Sequence, residues 1–165
     1  MDRLILLRHA KAETDAASGD DFDRPLAPRG RREAKAMGAQ LAALGFRVDV
    51  ALVSPALRTR ETWEIAAEEL AGAEARFDPA LYNADARTIA RLAEKAGVGR
   101  GTVLVVGHNP GLQELAVSLM REGAAPASFL ARAMRDFPPA AVAVFDVDAA
   151  GRAIADGLFY PEREA

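Results

Sequence analysis

Short apolar runs alternate with amphipathic segments along this chain. The continuous runs at 4–7, 50–53 and 102–106 are typical of strands buried on both faces of a parallel sheet. A weaker run predicts another strand over 75–81. Residues 141–160 alternate around a turn at Ala149, Ala150 and Gly151, which predicts a hairpin.

Four segments between these runs carry apolar residues at the three- and four-residue spacings of helices. The first helix is predicted over 28–44, with Gly45 ending it. The inward residues predicted for it are Ala34, Met37, Leu41 and Leu44. Another helix is predicted over 86–95, with Ile89 and Leu92 inward.

Two further helices are predicted to begin with a cap residue followed by proline. Ser54-Pro55 opens one that runs to about residue 70, and Asn109-Pro110 opens the other. The inward face of the latter is formed by Leu112, Leu115, Ala116 and Leu119.

The alternation of strands and helices predicts an α/β fold. We expect a three-layer αβα sandwich with a mostly parallel central sheet and a C-terminal hairpin at its edge. The length fits one compact domain spanning residues 1–165. The polar, acidic stretch over 13–28 is interpreted as a loop.

The amino-acid composition and charge argue against several classes of function. The chain has no cysteine, which excludes a thiol nucleophile and thiolate metal sites. Its net charge of −3 provides no basic footprint for nucleic acid. Apolar runs stay far short of the roughly 20 residues of a membrane span, and the first residues do not resemble a signal peptide. A cytoplasmic protein with neither a membrane nor a nucleic-acid partner is therefore expected.

The two histidines each follow an apolar strand directly. His9 and His108 stand at the sheet edge where open α/β folds bind ligands. Arg58 lies about one turn into a predicted helix, and helical side chains lean toward the N-terminus. Arg8 ends a buried strand, where a guanidinium needs an anionic partner. Together these four side chains predict a pocket for phosphoryl transfer.

Three motifs support this interpretation. They are the segments 6–11 (LLRHAK), 54–62 (SPALRTRET) and 107–111 (GHNPG). With them, the chain resembles the phosphoglycerate-mutase-like histidine phosphatase superfamily, in its short SixA-like phosphohistidine phosphatase branch. The first motif has Ala10 where the family has glycine, and 23–26 (DRPL) with Arg29-Gly30 is similar to that branch's loop. The resemblance covers residues 3 to about 120.

The resemblance implies that His9 is a nucleophile that forms a phosphohistidine. Arg8, Arg58 and His108 would then bind the phosphoryl oxygens as catalytic and substrate-binding residues. No metal or other cofactor is expected. A phosphorylated protein, such as a histidine-containing phosphotransfer domain, or a small phosphoester would be the partner.

The general acid of the larger relatives has no match in this chain. Larger relatives place a glutamate near the third strand, whereas this chain has 81–85 (LYNAD) there. Imidazole is a good leaving group, so the missing glutamate favours phosphohistidine on a protein. Two alternatives stay open: a small-molecule phosphomonoesterase that uses Asp85 as its acid, and a non-catalytic phosphate-binding module. A mutase is disfavoured, because the short chain has little insertion to enclose an intermediate.

Three other features are interpreted as structural and not as functional. Asp146 and Asp148 follow a strand as in haloacid-dehalogenase-like phosphatases, but too little chain follows them, and they fit the polar face of a hairpin. The acidic run 20–23 is interpreted as a solvated loop and not as a metal site. Lys11 is interpreted as an exposed lysine outside the catalytic set.

Overall fold

The central sheet organises the molecule. The computed structural model describes residues 1–70 and 72–162. Within them the strands are β1 (Arg3–Arg8), β2 (Val50–Val53), β3 (Glu74–Phe77), β4 (Thr102–Gly107), β5 (Val142–Val147) and β6 (Ala153–Phe159). They form one sheet in the order β3-β2-β4-β1-β5-β6.

The strand directions confirm the predicted architecture. Strands β1, β2, β3 and β4 pair in parallel, β5 lies antiparallel to β1, and β6 lies antiparallel to β5. The sheet is therefore mostly parallel with a hairpin at one edge. Strands β1 and β4 are neighbours in its centre, and the residues of β4 are buried throughout.

Helices cover both faces and complete three layers. They are α1 (Pro28–Ala43), α2 (Leu57–Ala67), α3 (Ala86–Ala96), α4 (Gly111–Glu122) and α5 (Ala127–Arg135), with short 3-10 turns at Asp21–Asp23 and Pro79–Leu81. Helices α1 and α2 pack Met37, Leu41 and Trp63 against one face. Helices α3 and α4 cover the opposite face, and α5 packs against α4. No helix among the described residues combines the length and apolarity needed to cross a membrane.

The first predicted helix agrees with α1 within one residue, but its predicted inward face was wrong at Leu44. Leu44 is 53% exposed because α1 ends at Ala43 and Leu44 lies at the C-cap. Gly45 then adopts a φ of +84°, where a residue without Cβ is favoured, and it ends the helix as predicted.

The two predicted proline-opened helices begin later than expected. Helix α2 starts at Leu57 with Ala56 as its cap, and α4 starts at Gly111 with Pro110 as its cap. Ser54 and Asn109 do not cap them, because the side chain of Ser54 pairs with His108 and the amide of Asn109 donates to the Phe137 carbonyl. The predicted caps were therefore wrong.

The remaining differences lie at the periphery. The predicted strand over 75–81 is β3 followed by the 3-10 turn, and β3 is an exposed edge strand. Helix α5 is not predicted from the sequence, and Ala133 is its only fully buried residue. Asp146 pairs with Arg3 at the start of β1, and Asp148 accepts from backbone N–H groups in the hairpin turn. Asp146 thus lies at the opposite end of β1 from His9.

Candidate active site

The two histidines lie side by side at the carboxyl edge of the sheet. In the parallel pairing of β1 with β4, Arg8 lies opposite Gly107. His9 and His108 follow these residues directly, and their ring centroids are 5.4 Å apart. Both side chains are buried, with 8% and 6% exposure. The register of two central strands therefore positions the two imidazoles.

His9 is held in one tautomer. Its Nδ1 lies 2.8 Å from the carbonyl oxygen of Ala10, so Nδ1 carries the proton and donates it. Nε2 is consequently left with its lone pair. Burial lowers the pKa of His9 to about 3, and the nearby cations act in the same direction. The ring is thus neutral near pH 7 and can act as a nucleophile through Nε2.

His108 is oriented by a different partner. Its Nε2 lies 2.7 Å from Oγ of the fully buried Ser54. Burial, followed by the charge of Arg58, lowers the pKa of His108 to about 4. When the Ser54 hydroxyl donates to Nε2, the proton of the neutral ring resides on Nδ1. This tautomer can donate to a phosphoryl oxygen.

The two predicted arginines join the histidines. Arg58 lies in the first turn of α2 and is 5% exposed, and Arg8 donates through Nη1 to the Phe137 carbonyl oxygen. Burial, and then the charge of Arg58, lower the pKa of Arg8. The guanidinium of Arg58 lies 6.0 Å from the ring of Tyr82, and that ring contacts His108. All four predicted site residues are therefore brought together, and we call them the anion pocket.

Unpartnered donors show what this pocket is suited to bind. Among the described residues, Nε of Arg8, Nε of Arg58 and Nδ1 of His108 are buried without a hydrogen-bond partner. A buried donor without an acceptor costs about 1–3 kcal/mol, and more when it is charged. Three such atoms in one pocket favour an anionic ligand with several acceptor oxygens. A phosphoryl group has this chemistry.

A carboxylate at the entrance was not predicted from the sequence. Arg58 donates through Nη1 to the carbonyl of Asp21 at 2.8 Å and through Nη2 to its carboxylate at 3.1 Å. Tyr82 donates its hydroxyl to the same carboxylate oxygen at 2.6 Å, and Arg24 Nε donates to the other at 2.9 Å. The run 20–23 is interpreted from the sequence as a solvated loop, and the side chain of Asp21 is 53% exposed, but its contacts with Arg58 and Tyr82 were not predicted.

Aromatic rings complete the entrance. Tyr82 meets His108 edge-on at 5.6 Å between centroids and Phe22 at 5.2 Å. We call Asp21, Phe22 and Tyr82 the mouth of the site. The hydrogen bond from Tyr82, and then the neighbouring arginines, lower the pKa of Asp21 to about 2, so its carboxylate is ionised. The mouth therefore combines two aromatic rings with an ionised carboxylate that is paired with Arg24 and Arg58.

The Asp85 carboxylate is engaged as the N-cap of α3. Its Oδ1 accepts from the backbone N–H of Thr88 at 2.8 Å and caps α3. That hydrogen bond lowers the pKa of the carboxyl, whereas an acid near neutral pH needs a raised one. Lys11 is exposed, as expected.

Backbone contacts fix the elements that carry the site. The hydroxyl of Thr62 accepts from Ala10 N and donates to the Arg58 carbonyl, joining the residue after His9 to α2. A Cβ on Gly111 would collide with the carbonyl oxygen of Ala84, so glycine allows α4 to approach the segment that carries Tyr82. The pocket and the mouth thus share one rigid support.

Comparisons with known proteins agree with this geometry. A model of the histidine phosphatase superfamily (branch 1) matches residues 4–96. The uncharacterised protein Rv1276c of Mycobacterium tuberculosis is 39% identical over 142 residues, covering 86% of this chain and 87% of that protein. This chain therefore belongs to the histidine phosphatase superfamily, and it is a phosphatase enzyme.

Solved structures identify the branch. A candidate phosphohistidine phosphatase SixA from Agrobacterium tumefaciens is 30% identical, with a TM-score of 0.85 and coverage of 97% of this chain and 98% of the other. The protein histidine phosphatase SixA complexed with tungstate is 27% identical, with a TM-score of 0.79 and coverage of 96% and 97%. Within the superfamily, the chain is SixA-like.

Proposed function

We propose that this enzyme is a metal-independent phosphohydrolase that works through a phosphohistidine on His9 and acts on phosphohistidine in a protein. One observation carries the proposal: His9 is a neutral imidazole with its Nδ1 proton donated to a carbonyl, buried beside two arginines. Such a group is a ready nucleophile in a site already charged to hold a phosphoryl group.

The reaction needs two transfers. Nε2 of His9 forms a bond to phosphorus while the bond to the leaving nitrogen breaks and its electron pair stays on that nitrogen. Water then attacks the phosphohistidine, and Nε2 recovers its electron pair as phosphate departs. Arg8, Arg58 and the Nδ1–H of His108 stabilise the negative charge on the phosphoryl oxygens in both steps.

The leaving group distinguishes the favoured substrate from an alkyl phosphate. A phosphohistidine whose other ring nitrogen carries a proton leaves as neutral imidazole, and therefore needs no acid at the departing atom. An alkoxide needs one, and Asp85 is occupied as the cap of α3 with its pKa lowered. The SixA proteins among the structural relatives carry names that describe the same chemistry.

A phosphorylated protein is the proposed partner, with a histidine-containing phosphotransfer domain as the favoured type. The mouth is partly exposed, and the side chain of Asp21 retains 53% exposure. An imidazole that projects from a protein surface can therefore approach it. This partner fits a cytoplasmic location, which is part of the proposal.

The test compares wild type with His9→Ala in the presence of a chelator, on an aryl phosphate and on a phosphohistidine-bearing protein. Lys11→Ala removes an exposed side chain two positions away and is the matched control. We expect chelator-resistant turnover of both substrates, faster for the protein, that His9→Ala abolishes and Lys11→Ala leaves within about twofold. An acid-labile, alkali-stable phosphoenzyme should be trapped on wild type only.

Three results would contradict the proposal. Loss of turnover in chelator would overturn metal independence. Equal turnover by His9→Ala would overturn the nucleophile. Faster hydrolysis of small phosphomonoesters than of the phosphoprotein would reassign the substrate to the small-molecule class.

A further inference from the structure

We infer that Asp21 sets the leaving-group selectivity of this phosphatase, favouring leaving groups that are neutral or positively charged and disfavouring those with a second negative charge. The inference rests on the proposed function, because it concerns the same pocket. It adds a residue and a selection rule that the anion pocket alone does not supply.

The contacts place Asp21 beside Arg58, one of the side chains that we assign to phosphoryl binding. Its carbonyl and carboxylate bind the two terminal nitrogens of Arg58, while Nε of Arg58 stays buried without a partner among the described residues. Each terminal nitrogen carries two hydrogens, so the guanidinium can bind Asp21 and a phosphoryl oxygen together. Asp21 therefore need not leave when substrate enters.

Three donors hold the carboxylate in this position. Arg24, Arg58 and Tyr82 all donate to it, and they come from the loop, from α2 and from the segment after β3. The carboxylate is thus tied to α2 and to the segment after β3 as well as to its own turn, and two of its donors, Arg24 and Arg58, are cations. A group attached to a phosphorus atom bound at Arg58 would lie near this carboxylate.

The neighbouring rings indicate the shape of the preferred leaving group. Phe22 and Tyr82 pack edge to face, and Tyr82 also contacts His108. Aromatic surfaces beside a carboxylate suit a planar ring with positive character. A protonated phosphoimidazole has these properties, whereas the carboxylate of a phosphorylated hydroxy acid would lie next to Asp21. At a partly exposed site, a like charge within a few ångströms of the carboxylate changes affinity by about tenfold.

A series of aryl phosphates tests the inference without changing the reacting atoms. The three substrates are phenyl phosphate and its derivatives with a 4-carboxylate or a 4-aminomethyl group. For each pair of substrates, the ratio of their kcat/KM values is compared between wild type and Asp21→Asn. This comparison cancels the different intrinsic reactivities of the substrates. Asp23→Asn is the matched control, because it removes the same charge from the same 3-10 turn while Asp23 pairs with Ser18.

We expect Asp21→Asn to reduce the preference for the aminomethyl over the carboxylate substrate by about tenfold. Asp23→Asn should change it by less than about twofold. An unchanged ratio in Asp21→Asn, or the same change in both variants, would overturn the inference. An equal rise for all three substrates would show instead that Asp21 blocks the pocket, and would also overturn it.

A binding measurement separates this inference from the proposed function. Phenylphosphonate and 4-carboxyphenylphosphonate cannot be hydrolysed, so their affinities for wild type and both variants report the charge effect without turnover. If wild type turns over no aryl phosphate, the proposed function fails while the phosphonates still test Asp21. If turnover is normal and the phosphonate ratio is the same in all three proteins, only the Asp21 inference fails.

Discussion

The anion pocket and the mouth are adjacent but are built in different ways. Pocket residues project from two central strands and the first turn of a helix, and both histidines and Arg58 are buried. Mouth residues come from a loop and a 3-10 turn, and the side chain of Asp21 is half exposed. The pocket is suited to the constant part of every substrate, the phosphoryl group. The mouth meets the part that varies.

Neighbouring arginines on α2 give the largest expected contrast. Arg58→Ala should lower kcat/KM on phenyl phosphate by about 100- to 1,000-fold, because a fixed donor to the transition-state charge is lost. Arg60→Ala, which removes an exposed guanidinium stacked on Phe77, should leave it within about twofold. Steady-state kinetics measures both. Similar losses in the two variants would remove the distinction between the pocket and its surroundings.

Substitution of Ser54 tests whether catalysis depends on a fixed tautomer of His108. Ser54→Ala removes the partner of His108 Nε2 and should lower kcat by about tenfold, an effect typical of orienting hydrogen bonds. The nitrogen chemical shifts of His108 should show a mixture of tautomers in the variant. Ser118→Ala, on the exposed side of α4, is the control. A single unchanged tautomer in Ser54→Ala would assign this serine a packing role.

The two buried histidines should titrate at lower pH than histidines on a protein surface. Burial lowers both pKa values, to about 3 for His9 and about 4 for His108. In ligand-free protein, NMR titration should show both rings neutral at pH 5.5, where an unperturbed histidine is mostly protonated. Tungstate should raise both pKa values, because an anion stabilises imidazolium. Titration of either free ring near pH 6.5 would contradict the desolvated pocket.

Folding stability follows from the same shifts. Between pH 6.5 and about 4 the unfolded chain binds protons at histidine that the folded chain does not. The contribution of these histidines is therefore fully present above pH 6.5 and is lost as the pH falls. Urea unfolding at several pH values should show this trend, and His108→Asn should flatten it.

Substitution of Asp85, the cap of α3, gives the smallest expected effect on activity. Asp85→Asn should leave activity on alkyl and aryl phosphates within about twofold, and asparagine caps a helix equally well. Asp85→Ala should lower the free energy of unfolding by about 1 kcal/mol through loss of the cap on α3. Activity and urea unfolding measure the two effects. Selective loss of alkyl phosphate hydrolysis in Asp85→Asn would support the small-phosphomonoesterase alternative.

The difference between the anion pocket and the mouth also explains what the sequence could predict. His9 and His108 follow strongly apolar runs, and such strands in a parallel sheet carry their end residues to one edge. The pocket is therefore readable from local patterns. Asp21 reaches its partners across 37 positions to Arg58 and 61 to Tyr82, and no periodicity encodes those distances.

The predicted starts of α2 and α4 were wrong because, here too, tertiary contacts are not encoded in the local sequence. Serine or asparagine before proline predicts a cap from local chemistry alone. Ser54 and Asn109 instead use their side chains for tertiary contacts, with His108 and with the Phe137 carbonyl. Helix α5, which packs against α4 and has Ala133 as its buried residue, was also missed. Tertiary use of a polar side chain overrides its local preference wherever the site needs it.

Gly111 has a consequence for how this protein tolerates mutation. It is one of the positions where backbone meets backbone, here the start of α4 and the carbonyl of Ala84. Any larger residue would separate the helix after His108 from the segment bearing Tyr82. In a library screened for catalysis, position 111 should consequently accept glycine alone, although its side chain has no atom to offer a substrate. A map of intolerant positions would thus record the scaffold together with the chemistry.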